Sequence, residues 1–121
     1  MITGIGMDVC EIARMEQLRT MTRFSERFFT EAEVEYIRTK GRNGAQTMAG
    51  MFAAKEAFSK AMGTGLDFDL KEVEISHDEA GKPEYRFSGA LISRTEGEIF
   101  HLSISHDGGI AAAFCVRERL L

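Results

Sequence analysis

The stretch Phe52-Ala-Ala-Lys55-Glu56-Ala-Phe-Ser-Lys60-Ala-Met-Gly-Thr-Gly65 decides the fold, because it is strongly helical and apolar around a single carboxylate. On a helix, Glu56 is expected at the edge of packed surface, where burial of its charge is costly unless a cation compensates it. Lys60 follows four residues later, so an ordinary ion pair on the helix surface is the simplest interpretation.

Helices and strands are predicted on both sides of this central helix, which spans residues 46–62 and ends at a Gly63 cap. Upstream, the patterns predict a strand over residues 1–9, a helix over 11–21, and a helix from the capping box Thr30-Glu-Ala-Glu33 to residue 39. Downstream, they predict a hairpin of residues 70–76 and 84–87, a short helix over 88–96, and a hairpin of 99–105 and 110–116.

The last predicted strand, residues 110–116, is apolar on both faces and is therefore expected at the centre of a sheet or in an interface. Antiparallel hairpins beside segregated helices are typical of the α+β class. We expect one small α+β domain over residues 1–121, with antiparallel strands packed on the long central helix.

Composition narrows the class of protein. The chain has 121 residues, 44% of them hydrophobic and 28% charged, which is typical of a globular domain. It has neither an apolar run long enough to span a membrane nor a basic leader, so we expect a cytoplasmic protein without a membrane partner. The net charge of −4 argues against nucleic-acid binding. Cys10 and Cys115 lack the spacing of a zinc site and are expected as buried small hydrophobes.

Residues 12–29 are locally basic, with four arginines (Arg14, Arg19, Arg23 and Arg27) against two glutamates. Such a stretch steers acidic partners towards a surface. A plain solvated helix face is the simpler interpretation of the charge alone.

Asp8 and Glu56 are the candidate metal ligands. Mg²⁺ commonly takes one or two protein carboxylates and fills its other positions with water and substrate phosphate oxygens. Gly4 and Gly6 precede Asp8 on the same side of the predicted strand, which leaves room for a ligand or a neighbouring backbone. Lys55 and Lys60 then lie on the same helix as Glu56 and supply positive charge for phosphate groups.

Ser103, Ser105, His106 and Asp107 form a polar cluster that suggests a serine hydrolase at first sight. Adjacent strand residues point to opposite faces, so Ser105 and His106 are poorly placed as a nucleophile and its base, and the chain has no G-x-S-x-G motif. For His106, a catalytic role and a hydrogen-bonded position at a strand end are equally compatible with the pattern.

Three segments occur in one order along the chain: Gly4-Ile-Gly-Met-Asp8, Phe52-Ala-Ala-Lys-Glu-Ala-Phe-Ser-Lys-Ala61 and Ser103-Ile-Ser-His-Asp107. Together they resemble the holo-acyl-carrier-protein synthases, the short 4′-phosphopantetheinyl transferases, nearly from end to end. The resemblance implies that family's fold and its reaction. The implied enzyme depends on Mg²⁺. It would transfer the 4′-phosphopantetheine arm of coenzyme A to a serine of an apo acyl carrier protein and release adenosine 3′,5′-bisphosphate.

The resemblance also implies roles for individual residues. The catalytic set is Asp8, Glu56 and His106, of which Asp8 and Glu56 hold Mg²⁺. Coenzyme A is bound by Lys55, Lys60, Ser105, His106 and the turn Gly81, Lys82 and Pro83. The acidic carrier protein docks on Arg14, Arg19, Arg23 and Phe24. Active sites shared between the subunits of a homotrimer are implied as well, and Met51 stands where many relatives carry Arg.

The base that takes the proton of the carrier serine is left open among a water on the metal, Glu56 and the His106-Asp107 pair. Two other functions use the same features. A Mg²⁺-dependent nucleotide diphosphate hydrolase needs the carboxylates and lysines but no protein partner. A non-enzymatic module that binds an acidic protein needs the basic stretch but no metal ligands.

Overall fold

The computed structural model describes residues 1–120. The strands are β1 (Ile2–Glu11), β2 (Val73–His77), β3 (Pro83–Phe87), β4 (Glu98–Asp107) and β5 (Ile110–Arg119). The α-helices are α1 (Ile12–Leu18), α2 (Thr22–Phe28), α3 (Glu31–Thr39), α4 (Gly44–Met62) and α5 (Leu91–Arg94). Both predicted hairpins and the long central helix are confirmed, and so is the α+β class.

The strands form two antiparallel sheets. The larger sheet has the order β1-β5-β4, and β2 pairs with β3 in a separate hairpin. β5 is the central strand, as its apolar sequence predicts. Asp8 pairs with Ala113, which in turn pairs with Ile104, so the three strands share one register across the sheet.

Helix α4 packs directly on the larger sheet because β1 lacks side chains where the two cross. A Cβ at Gly6 would overlap the carbonyl oxygen of Ala57 and lie 2.7 Å from the backbone nitrogen of Ala61. Of the two explanations that the sequence allows for these glycines, close approach of a backbone therefore holds at Gly6. Further along α4, Phe58 contacts Phe87 and Phe100, with ring centroids 5.1 and 4.9 Å away, and joins the small hairpin to the same core.

The predicted helix over residues 11–21 is wrong in its extent. The structure has two short helices instead, α1 ending at Leu18 and α2 beginning at Thr22. The break turns α2 so that Phe24 and Phe28 pack on Phe52 of α4, with ring centroids 5.7 and 5.8 Å away. Contacts with α4 thus override the local helical pattern.

The face of the larger sheet that points away from α4 carries an exposed apolar region on β1 and β5. Ile5, Met7 and Val9 of β1 are 60%, 57% and 57% exposed, and Phe114 of β5 is 42% exposed. Met7 pairs with Phe114, so these side chains form one continuous patch, which we call the outer face. Large apolar patches of this kind mark interaction surfaces.

Across residues 1–120, we find no helix with both the length and the apolar composition needed to cross a membrane.

Candidate active site

Strand β1 and helix α4 bring Asp8, Glu56 and Lys60 together. The Lys60 Nζ atom donates to Oδ1 of Asp8 (3.1 Å) and to the backbone oxygen of Met7 (2.9 Å). The simple ion pair between Glu56 and Lys60 is therefore wrong, because Lys60 binds the carboxylate of the neighbouring strand. Its side chain is still 55% exposed and accessible to a ligand.

Electrostatics couple the two carboxylates. Burial raises the pKa of Glu56 above its ordinary value of 4.5, and the nearby charge of Asp8 raises it further, whereas Lys60 and Arg14 lower it. Two carboxylates that repel each other at a half-buried edge are suited to a divalent cation. Asp8 and Glu56 are thus the residues that could hold a divalent cation such as Mg²⁺.

The two carboxylates form a small ligand set. Within residues 1–120, no three His, Cys, Asp or Glu side chains are grouped closely enough to hold a metal on their own. This arrangement fits Mg²⁺, which keeps several waters and takes phosphate oxygens from its substrate, better than it fits an ion that needs a closed protein cage.

Lys55 lies elsewhere. Its side chain has 0% exposure, and Nζ lies 2.8 Å from Oε1 of Glu33 and donates to the backbone oxygens of Leu70 (2.8 Å) and Val73 (2.9 Å). Burial lowers the pKa of Lys55, and the Glu33 carboxylate opposes that shift. The predicted role of Lys55 at the coenzyme A phosphates is therefore wrong, because all three N–H groups of its ammonium already have acceptors within the protein.

His106 lies near the start of α4, several turns away from Glu56 and Lys60. Its Nε2 atom is 3.0 Å from the amide nitrogen of Gln46, near the start of the helix. It lines a cavity of about 310 Å³ together with Gly81, Pro83 and Met51. Residues from three segments far apart in sequence therefore meet here, but the lining of the cavity does not include Asp8 or Glu56.

Sequence reasoning missed the aromatic wall of this cavity. The rings of Tyr36 and His77 stack at 4.0 Å with an interplanar angle of 10°, and Lys40 lies 4.7 Å from the Tyr36 centroid. Tyr36 and Lys40 belong to α3 and its C-terminus, and His77 ends β2. No motif links these segments, so only their tertiary contact reveals the wall.

Ser105 and His106 point to opposite faces of β4, as strand alternation predicts. Ser105 is exposed on the side away from α4, whereas His106 contacts α4 through Gln46. This arrangement excludes the Ser105–His106 pair as a hydrolase nucleophile and base. In the neighbouring hairpin turn, Lys82 is exposed and Gly81 has a left-handed φ of 86°.

The four residues predicted to bind a partner divide into two kinds. Arg14 and Arg23 are exposed. Arg19 is half-buried, donates through Nη1 to the backbone oxygen of Gly41 (2.9 Å), and pairs with Glu16 (3.1 Å). Phe24 packs in the aromatic cluster on α4. The basic surface therefore consists of the exposed Arg14 and Arg23, and Arg19 and Phe24 pack beneath it.

This basic surface adjoins the carboxylates. The Arg14 guanidinium is close enough to lower the pKa of Glu56, and it also opposes the shift that burial causes in the pKa of Cys10. A partner bound to Arg14 would consequently reach the edge of α4 that carries Glu56.

Comparison with known proteins gives consistent matches. Residues 4–115 match the family model described as the 4′-phosphopantetheinyl transferase superfamily. The holo-[acyl-carrier-protein] synthase of Clostridium beijerinckii is 46% identical over 125 residues, which cover 99% of this chain and 100% of that protein. The Treponema denticola holo-[acyl-carrier-protein] synthase is 38% identical over 122 residues, with 98% and 99% covered.

Solved structures agree with these matches. The holo-[acyl-carrier-protein] synthase of Neisseria meningitidis superposes with a TM-score of 0.89 at 34% identity and covers 98% of this chain and 100% of its own. The synthase of Bacillus anthracis, in complex with CoA (3′,5′-ADP), superposes with a TM-score of 0.83 at 39% identity, and 98% of each chain is covered.

Proposed function

Because the chain belongs to the 4′-phosphopantetheinyl transferase superfamily, we infer that it has holo-[acyl-carrier-protein] synthase activity. It transfers the 4′-phosphopantetheine arm of coenzyme A to a serine of an apo acyl carrier protein. The observation that carries this conclusion is the 46% identity to a synthase of that name over 99% of the chain. The cluster of Asp8, Glu56 and Lys60 supports it from the geometry.

The reaction exchanges one phosphorus–oxygen bond for another. The serine oxygen bonds to the β-phosphorus of coenzyme A, and the bond to the bridging oxygen breaks, so that adenosine 3′,5′-bisphosphate leaves with the electron pair. Lys60, exposed beside Asp8, is placed to bind the diphosphate oxygens. Of the two side-chain candidates for the base, Glu56 lies with Asp8 and Lys60, which supports it as the acceptor of the serine proton.

Asp8 and Glu56 would hold Mg²⁺. When bound, the ion neutralises diphosphate charge and stabilises the developing charge on the leaving oxygen. Burial and the nearby Asp8 charge both raise the pKa of Glu56, which supports this assignment, since a bound cation would relieve the repulsion between the carboxylates.

The cavity of about 310 Å³ is the proposed site for the nucleotide end of coenzyme A. Gly81 and Pro83 line it from the hairpin turn, with Lys82 exposed between them, and His106 lines it from β4. Its walls include the stacked Tyr36–His77 pair and the Lys40 ammonium, and this combination of aromatic surface and positive charge suits a base and a phosphate.

The carrier protein is proposed to dock on the exposed Arg14 and Arg23, whose charge suits an acidic partner. Arg19 and Phe24 are proposed to support the structure of this surface rather than to contact the carrier, because both make contacts within the chain.

A homotrimer with shared active sites is proposed from two features. The outer face is apolar and exposed, so burying it against another subunit is favourable. Within one chain, the His106 cavity adjoins the N-terminal half of α4, whereas Asp8 and Glu56 lie at its C-terminal half. A cyclic head-to-tail assembly would place the carboxylates of one subunit beside the cavity of its neighbour, with Ser105 at the interface.

The cytoplasmic location expected from the sequence stays a prediction. The function itself is tested by incubating an apo acyl carrier protein with this protein, coenzyme A and Mg²⁺, and measuring the carrier mass. We expect a mass increase of one phosphopantetheine unit, which is absent when the carrier serine is replaced by alanine or when Mg²⁺ is chelated. Cleavage of coenzyme A without any change in the carrier would identify a hydrolase instead, and carrier binding without turnover would identify a binding module.

A further inference from the structure

The buried ammonium of Lys55 is the centre of a polar network that the proposed reaction does not use. It is completely shielded from solvent and makes three contacts of 2.8–2.9 Å, with Glu33 and with the backbone oxygens of Leu70 and Val73. It also lies 5.4 Å from the centroid of the Phe29 ring. All three ammonium protons thus have an acceptor.

Glu33 extends the network to further segments. Its Oε1 atom also accepts from the backbone nitrogen of Thr30 (2.9 Å), and Oε2 accepts from the backbone nitrogen of Ile75 (2.8 Å). One buried ion pair therefore joins the N-terminus of α3, the middle of α4, the turn before β2 and β2 itself. Charged hydrogen bonds fix these distances more narrowly than apolar contacts do.

The joined segments are those that carry the proposed site. Glu56 follows Lys55 on α4. α2, which bears Arg23, leads directly into the N-terminus of α3 at Thr30. β2 leads into the turn that carries Gly81 and Pro83. The ion pair consequently links the part of α4 next to Glu56 to the segments that lead into the basic surface and the hairpin turn.

Stability alone does not require an ion pair at this place. Replacing a buried ion pair with apolar groups of similar volume is often neutral or stabilising, whereas removing one partner is strongly destabilising. Met48, Met51 and Phe58 of the same helix are buried, so the surrounding interior accepts apolar side chains. Core packing alone therefore does not explain the two buried charges of Lys55 and Glu33.

We propose that Lys55 and Glu33 are positioning residues for phosphopantetheine transfer, which hold Glu56 at the spacing from the carrier-binding surface and the hairpin turn that the reaction needs. The proposal rests on the proposed function. Lys55 acts here through geometry and touches neither substrate nor metal. Errors of about 1 Å in such positions are enough to lower turnover by roughly a hundredfold.

The test uses the double variant Glu33→Gln/Lys55→Met, which removes both charges and keeps an amide at position 33. The amide has a single oxygen, so it accepts from the backbone nitrogen of either Thr30 or Ile75, and its nitrogen can donate to a freed backbone oxygen. The matched control is Glu98→Gln/Arg117→Met, because this second pair is also poorly exposed and is bonded at 2.6 and 2.9 Å, but it joins β4 to β5. It reaches α4 only at the last residue, where Arg117 Nη1 donates to the backbone oxygen of Met62 (3.4 Å). Melting temperature, kcat, KM for the carrier, and Mn²⁺ affinity without substrates, followed by electron paramagnetic resonance, are measured for both variants and for the wild type.

We expect a folded double variant whose kcat/KM for the carrier falls at least about tenfold and whose Mn²⁺ dissociation constant rises by about tenfold, as for other residues that orient metal ligands. The control should keep both quantities within about twofold of the wild type, even if it melts earlier. A double variant with wild-type kinetics and wild-type Mn²⁺ affinity overturns the proposal.

An unfolded double variant and an inactive wild type also have defined meanings for the proposal. If the double variant does not fold, Glu33→Gln/Lys55→Gln takes its place under the same criteria, and failure of both while the control folds overturns the proposal in favour of a purely structural pair. If the wild type itself transfers nothing, the proposed function fails, but the Mn²⁺ titration still tests whether the pair positions Glu56.

Discussion

Gly6→Ala tests the contact that holds α4 against β1. The added Cβ would overlap the carbonyl oxygen of Ala57 and approach the backbone nitrogen of Ala61 to 2.7 Å. Both groups belong to the helix backbone, which cannot rotate away as a side chain can. The helix must therefore shift from the strand, and Glu56 must shift with it relative to Asp8.

The size of the effect follows from two opposing terms. Forcing an extra methyl group into a packed site costs up to about 3 kcal/mol when it meets backbone. Replacing glycine by alanine in a strand also stabilises the folded state by roughly 0.5–1 kcal/mol, because the unfolded chain has less conformational freedom to lose. The net loss of about 2 kcal/mol lowers the melting temperature by roughly 8 °C, because the unfolding entropy of a 121-residue chain is about 0.25 kcal/mol per degree.

Thermal melts and the Mg²⁺ concentration for half-maximal transfer are measured together. Gly97→Ala is the matched control: it makes the same chemical change at a left-handed φ of 77° with no atom within 4 Å of the new Cβ. It should lower the melting temperature by only about 4 °C and leave the Mg²⁺ requirement unchanged. The reasoning is refuted if Gly6→Ala melts no earlier than Gly97→Ala and needs no more Mg²⁺.

Asp8→Asn and Glu56→Gln should each stay folded and lower transfer by orders of magnitude, with a rise in the Mg²⁺ needed, because each removes one ligand charge and keeps its shape; wild-type rates at limiting Mg²⁺ would contradict the metal assignment. Arg14→Glu and Arg23→Glu should raise the KM for the carrier much more than that for coenzyme A, and high salt should mimic them. An unchanged carrier KM would leave these arginines as a solvated face. Because the pKa of Glu56 is raised from its ordinary value of 4.5, ionised Glu56 costs folding free energy above the raised pKa and nothing below the ordinary one. In chelator, Glu56→Gln should therefore melt later than the wild type at pH 7.5 and alike at pH 4, and an equal difference at both pH values is the opposing result. Glu56→Gln and His106→Ala proteins, refolded together, should regain activity above either parent if sites are shared between subunits, whereas verified mixed oligomers without a gain would place both residues in one subunit's site.

The fold was predictable where local pattern and tertiary contacts agree. Gly63 ends α4 with a left-handed φ of 77°, and the Thr30–Glu33 capping box opens α3, as the sequence indicates. The break between α1 and α2 was not predictable, because its cause is the packing of Phe24 and Phe28 on Phe52, far along the chain. No local signal encodes that contact.

The same distinction applies to the site. Asp8 and Glu56 were predicted from motifs as metal ligands; the structure places them near each other, and their role as ligands stays a prediction. The buried position of Lys55 was missed because its partner, Glu33, already has a complete explanation as the last residue of the capping box Thr30–Glu33. The capping oxygen also contacts Lys55, and the second oxygen accepts from Ile75, which a sequence pattern cannot show. The stack of Tyr36 on His77 was hidden for a similar reason, since neither belongs to a motif.

Alternate residues of strand β1 point to opposite faces of the sheet. Gly6 and Asp8 face the helix, and Ile5, Met7 and Val9 face outwards. Sliding β1 by one position along β5 would exchange the two sets. A methionine would then stand beside Lys60, and a carboxylate would fall on the apolar patch. A mispaired chain would lose the proposed metal ligand and its ability to join the proposed trimer in the same step. In the proposed trimer, assembly would thus select for correct strand pairing, because only chains with Asp8 turned towards Lys60 also present the apolar outer face to another subunit.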